Sequence, residues 1–117
     1  MSLKINLATI VKILKNDKQS VYKALVLLIN NTEEEKSNMV KYHREKNWAL
    51  VSLSAHNLKS KMKYIGCGDA AEILSELESA GRDPNKIWRI DNLLNNFEKE
   101  YSFISKELSD IKTVYSH

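Results

Sequence analysis

The sequence predicts an all-α fold, an antiparallel up-and-down four-helix bundle preceded by a short extra N-terminal helix. Three observations lead there. Three glycines and one proline in 117 residues supply too little turn material for an all-β domain. Long stretches free of both residues repeat apolar side chains at steps of three and four, the period of an amphipathic helix. The breaks at residues 45–47, 66–68 and 81–84 are short, and short connections make neighbouring helices antiparallel. The whole chain, residues 1–117, is read as one domain with helices at about 4–15, 18–44, 48–65, 69–80 and 84–113.

The first helix rests on Leu3, Leu7, Ile10, Val11 and Leu14 and stops at Asn16-Asp17. Asp17 is a suitable N-cap for the second, because its carboxylate can accept from the free amides of the next turn. The second helix carries the seam Val21, Leu25, Leu28, Thr32, Met39 and Tyr42. Its polar middle, Thr32 to Asn38, is expected to fray or bend, and Glu33-Glu34-Glu35 to form a solvated face. Asn47 caps the third helix, whose stripe is Trp48, Val51, Ala55, Leu58, Met62 and Ile65. Gly66-Cys67-Gly68 ends it and turns the chain. Ala70, Ile73, Leu74 and Leu77 mark the fourth helix, which ends at Gly81. Asp83-Pro84 is expected to open the last helix, with proline at its first position. That helix has the most regular seam, running from Ile87 through Ile90, Leu94, Phe97, Tyr101, Ile104, Leu108 and Ile111 to Tyr115.

Composition removes several classes of function. A net charge of +3 is too small to argue for nucleic-acid or anionic-membrane binding. Lys59, Lys61 and Lys63 are too few for a phosphate-tracking stripe. No stretch approaches the roughly 18 to 20 apolar residues of a membrane span. Lys4, Asn6 and Lys12 interrupt the N-terminal apolar pattern, so a signal peptide is not expected. A single cysteine, Cys67, excludes an internal disulfide and suits a cytoplasmic location. Three dispersed histidines and one cysteine show no metal-ligand spacing, and no GxxxxGK[ST] nucleotide loop occurs. His43, in a charged stretch, is read as a solvated surface residue, and His117 is terminal. Arg44, Arg82 and Arg89 lie near helix ends, which disfavours a cationic pocket of the mutase kind.

His56 stands apart. At about 100° per residue it lies about 130° from the centre of the third helix's apolar stripe, on the solvent side. Ala49, Leu53, Ser60 and Tyr64 lie near the opposite pole from the core, and Lys59 and Lys63 flank His56. A solvent face of small and apolar residues around a histidine, in place of Glu and Lys, suggests a docking surface.

Ala55-His56-Asn57-Leu58-Lys59 followed by Ile65-Gly66 resembles the signature of the histidine-containing phosphotransfer (HPt) domain family, roughly A-H-x-L-K-G with an apolar residue and glycine nine and ten positions after the histidine. Asn47-Trp48 stands where the family often has Asp-Trp, and Leu77-Glu78 falls in the family's following helix. The resemblance covers about residues 5–112. Ser60 departs from it, at a position where the family most often has glycine.

The resemblance implies a phosphorelay intermediate. His56 would accept a phosphoryl group from, and return it to, aspartates of response-regulator receiver domains. Lys59 would offset phosphoryl charge, and Leu53, Ser60, Lys63 and Tyr64 would meet the receiver. It implies no cofactor in this domain, Mg²⁺ being expected in the partner receiver. It implies no kinase or ATP-binding activity. A hybrid sensor histidine kinase is a further implied partner, and neither nucleic acid nor membrane is. The alternative is an adaptor bundle that binds a receiver or another protein through the Leu53 and Tyr64 face without chemistry.

Overall fold

The computed structural model describes residues 4–116, and the side chain of Thr9 lies outside that description, as do Leu3 and His117. Helices are the regular secondary structure of the described residues, among which there are no strands. They form α1 (Ala8–Ile13), α2 (Lys18–Arg44), α3 (Trp48–Tyr64), α4 (Gly68–Gly81), a 3₁₀ turn (Ile87–Arg89) and α5 (Ile90–Tyr115). α3 packs on both α2 and α4, and α5 closes the arrangement by packing on α4 and α2.

The expected caps form. Asp17 accepts from the amide and the hydroxyl of Ser20, and Asn47 Oδ1 accepts from the Leu50 amide at 3.2 Å. Gly66 turns the chain out of α3 with φ +77°, and a Cβ there would sit 2.7 Å from that of Asn6. Both demands select glycine. Most of both seams buries, with Val51, Ala55, Leu58, Met62 and Ile65 of the third helix and Ile90, Leu94, Phe97, Tyr101, Ile104 and Leu108 of the last inside, while Trp48, Ile87, Ile111 and Tyr115 are only partly buried against the core.

Four expectations need correction. The first helix begins at Ala8, because the segment before it spends its amides elsewhere. The amides of Lys4 and Ile5 donate to the Glu107 carboxylate, and that of Asn6 donates to Ile65 O at 2.8 Å. Asn6 Oδ1 then accepts from the Ala8 amide. The last helix begins at Ile90, not Pro84. Asp83 Oδ1 accepts from the Asn85 amide and Asp83 O from Lys86, a local turn that competes with helix initiation. α2 neither breaks nor frays over its polar middle. Thr32 is fully buried there, its hydroxyl returned to Leu28 O at 2.6 Å, and Glu33 accepts from the Tyr101 hydroxyl at 2.8 Å. His43 is not a freely solvated side chain either, since its Nε2 lies 2.7 Å from Asp91 Oδ1 and its ring meets Trp48 edge-on.

α3 and α4 approach closely because the residues between them are small. A Cβ added to Gly81 would lie 2.8 Å from Trp48 O and 2.9 Å from Ser52 Cβ. Ser52 is buried and donates its hydroxyl to Glu78 O at 2.7 Å. This contact draws one particular carboxylate of α4 onto the flank of α3.

Candidate functional site

That carboxylate is Glu78. Its side chain is only 11% exposed and meets three basic side chains, hydrogen-bonded to Lys59 and His56 and ion-paired with Arg82. His56 Nδ1 lies 3.0 Å from Oε2, Lys59 Nζ 2.7 Å from Oε1, and Arg82 Nη2 3.1 Å from Oε2. The Lys59 hydrogen bond foremost, with the His56 bond adding to it against the cost of burial, holds the Glu78 carboxyl below the ordinary carboxylate range. Glu78 is therefore ionised at neutral pH and can only accept. Neutral His56 must then carry its proton on Nδ1, which leaves the lone pair on Nε2.

The His56 side chain is 51% exposed, and no described residue hydrogen-bonds its Nε2. One ring nitrogen is thus fixed against a buried acid while the other faces outward. This is the arrangement of an oriented imidazole nucleophile or base. It lines a shallow concavity of about 430 Å³ with Asn57, Ser60, Lys61 and Tyr64.

The sequence-selected residues divide between two grooves. His56, Ser60 and Tyr64 share the concavity above. Lys59 and Lys63 line another groove, between α3 and α4, with Gly68, Ala71, Glu72 and Ser75. Lys59 does not stand free on the flank, because its side chain is 19% exposed and tied to Glu78. Ser60 is exposed, its hydroxyl 3.5 Å from His56 O one turn back. Leu53 and Tyr64 are about half exposed, at 52% and 49%. Lys61 also borders the His56 concavity.

Glu78 as a partner of His56 and the bridging Arg82 are what sequence reasoning missed. The available signal was positional. Glu78 lies four residues after Leu74 and seven after Ala71, so it falls on the buried stripe of α4, an unusual place for a carboxylate unless it is paired. Cys67 is buried and donates to Lys4 O at 3.2 Å, and burial pushes its thiol up to about 11, so it is not a thiolate at neutral pH. Among the described residues no group of three or more His, Cys, Asp or Glu side chains is arranged to hold a metal ion, and no helix is long and apolar enough to cross a membrane.

No family model matches the sequence, and no curated protein or solved structure matches it.

Proposed function

We propose that the four long helices form an up-and-down bundle of the HPt kind and that the domain is a phosphorelay intermediate carrying a phosphoryl group on His56 Nε2. The observation that carries this reading is the bond between His56 Nδ1 and the buried, ionised Glu78, which aims an unpaired Nε2 at solvent.

In the forward step the Nε2 lone pair attacks the phosphorus of a receiver's aspartyl phosphate. The N–P bond forms, the P–O bond to the aspartate breaks, and the aspartate leaves with the electron pair. The ring keeps its Nδ1 proton and becomes cationic, and Glu78 offsets that charge across the 3.0 Å contact. Return transfer to a second receiver aspartate is the reverse. Such chemistry asks a protein for position and charge compensation more than for covalent machinery. Lys59 stabilises the ionised form of Glu78 and adds positive potential. Leu53 and Tyr64 offer apolar contact to the receiver, Ser60 and Lys63 its polar rim, and Mg²⁺ belongs to the receiver.

The test is incubation with a phosphorylated receiver domain. The reading expects acid-labile, base-stable label on the wild type and none on His56→Ala. Label that survives in His56→Ala would overturn it. Receiver binding without label in the wild type would favour the adaptor alternative, which the exposure of Leu53 and Tyr64 also suits.

A further inference from the structure

The Glu78 cluster is unbalanced. With His56 neutral, one carboxylate faces two full positive charges, Lys59 and Arg82, so the cluster holds one cation in surplus next to the free Nε2. The two cations differ in freedom. Lys59 is 19% exposed and makes the shorter contact, on Oε1. Arg82 caps the end of α4, is 67% exposed, and reaches the same Oε2 that accepts from His56 Nδ1. Among the described residues its guanidinium has no other ion-pair partner, which leaves most of its five donors unused.

A phosphoryl group on Nε2 would bring two negative charges and three acceptor oxygens to this edge of α3. Lys59 meets them only by giving up the shorter contact, 2.7 Å, to a nearly buried carboxylate whose charge it does most to stabilise. Arg82 meets them at less cost, because Glu78 then retains its closest partner, Lys59, together with His56. A guanidinium also matches a phosphoryl group better than an ammonium does, through paired donors in one plane.

We infer that Arg82 is the phosphoryl-contacting cation of the His56 site. Resting on the reading of His56 as the acceptor, it assigns Arg82 to the phosphoryl oxygens and Lys59 to Glu78. In the phosphorylated domain the guanidinium turns from Glu78 Oε2 to the phosphoryl group, and Lys59 stays in place. Arg82 thereby lowers the barrier to Nε2–P bond formation and slows loss of the group to water.

Phosphoramidate, a small phosphoryl donor, tests this without a receiver. Nε2 attacks phosphorus, the donor's P–N bond breaks and ammonia leaves. The rate of label uptake is compared in wild type, Arg82→Gln, Arg82→Lys and His56→Ala, with thermal melts run in parallel. Arg82→Gln is expected to lower the rate about five- to tenfold at an unchanged melting temperature, with partial recovery in Arg82→Lys. The midpoint of the ³¹P titration of the phosphorylated domain should rise in Arg82→Gln, because a cation that favours the dianion is gone; a merely structural arginine would not move it. An unchanged rate and midpoint in Arg82→Gln, with label lost in His56→Ala, would overturn the assignment of Arg82 alone. A wild type that takes no label from phosphoramidate or from a phosphorylated receiver would overturn this inference together with the reading of His56.

Discussion

His56 Nδ1 and Glu78 Oε2 meet at 3.0 Å across the α3–α4 interface, although 22 positions separate them in the chain. The contact sets which nitrogen of an exposed imidazole is free, and Lys59 does most to hold the acid below the ordinary carboxylate range.

Replacing Glu78 by Gln should release that choice. A neutral amide no longer enforces the Nδ1 proton or offsets a cationic ring. Nitrogen-15 spectra of the ring should move from a single Nδ1–H tautomer to a mixture. Phosphoryl uptake should fall roughly ten- to a hundredfold, the usual cost of losing an orienting partner. A Gln variant with wild-type tautomer and rate would refute the positioning role.

Stability should depend on acid through the same residue. The folded-state value of Glu78 is depressed, so its contribution is present above the unfolded value of about 4.5 and lost as pH falls through the lower folded value. Urea melts between about pH 3 and pH 6 should show this loss. Lys59→Met removes the largest cause of the depression and should flatten the profile over that window. A profile as steep as that of the wild type would contradict it.

Gly81→Ala tests the packing that delivers Glu78. The new methyl would lie 2.8 Å from Trp48 O, a backbone atom that cannot swing aside. Overpacking costs of about 1–3 kcal/mol should outweigh the roughly 0.5–1 kcal/mol by which alanine favours a helix. Urea unfolding should show net destabilisation and phosphoryl uptake should slow, since α4 must shift on α3. A stabilised variant would show the interface to be more yielding than its geometry implies.

Much of this was legible in the chain. Asp17 and Asn47 are short acceptors placed before apolar periodicity, and their caps follow from local chemistry alone. The exposure of His56 followed from its angle to the α3 stripe. Glu78 was not legible as a partner, because its pairing is tertiary and it sits in Ser75-Glu76-Leu77-Glu78, where one glutamate is solvated and the other buried. Nor were the ends of the first and last helices. Glu107 takes the amides of Lys4 and Ile5 from more than a hundred positions away, and the Asp83 turn outcompetes the helix start that Pro84 favours.

Ser60→Gly separates docking from chemistry. Ser60 is exposed beside His56 and its hydroxyl makes only a long contact, so Ser60→Gly should cost the helix no more than about 0.5 kcal/mol. Transfer from a receiver should rise severalfold as room opens for the partner, while uptake from phosphoramidate stays as in the wild type. Equal rates from the receiver in both proteins would mean that the hydroxymethyl group is no obstacle.

The most direct measurement is the identity of the phosphorylated atom. After reaction with phosphoramidate or a phosphorylated receiver, phosphorus-31 and nitrogen-15 spectra should place a single phosphoryl group on Nε2 of His56, with none in His56→Ala. A phosphoryl group on Nδ1, on another residue, or on neither protein would contradict the account.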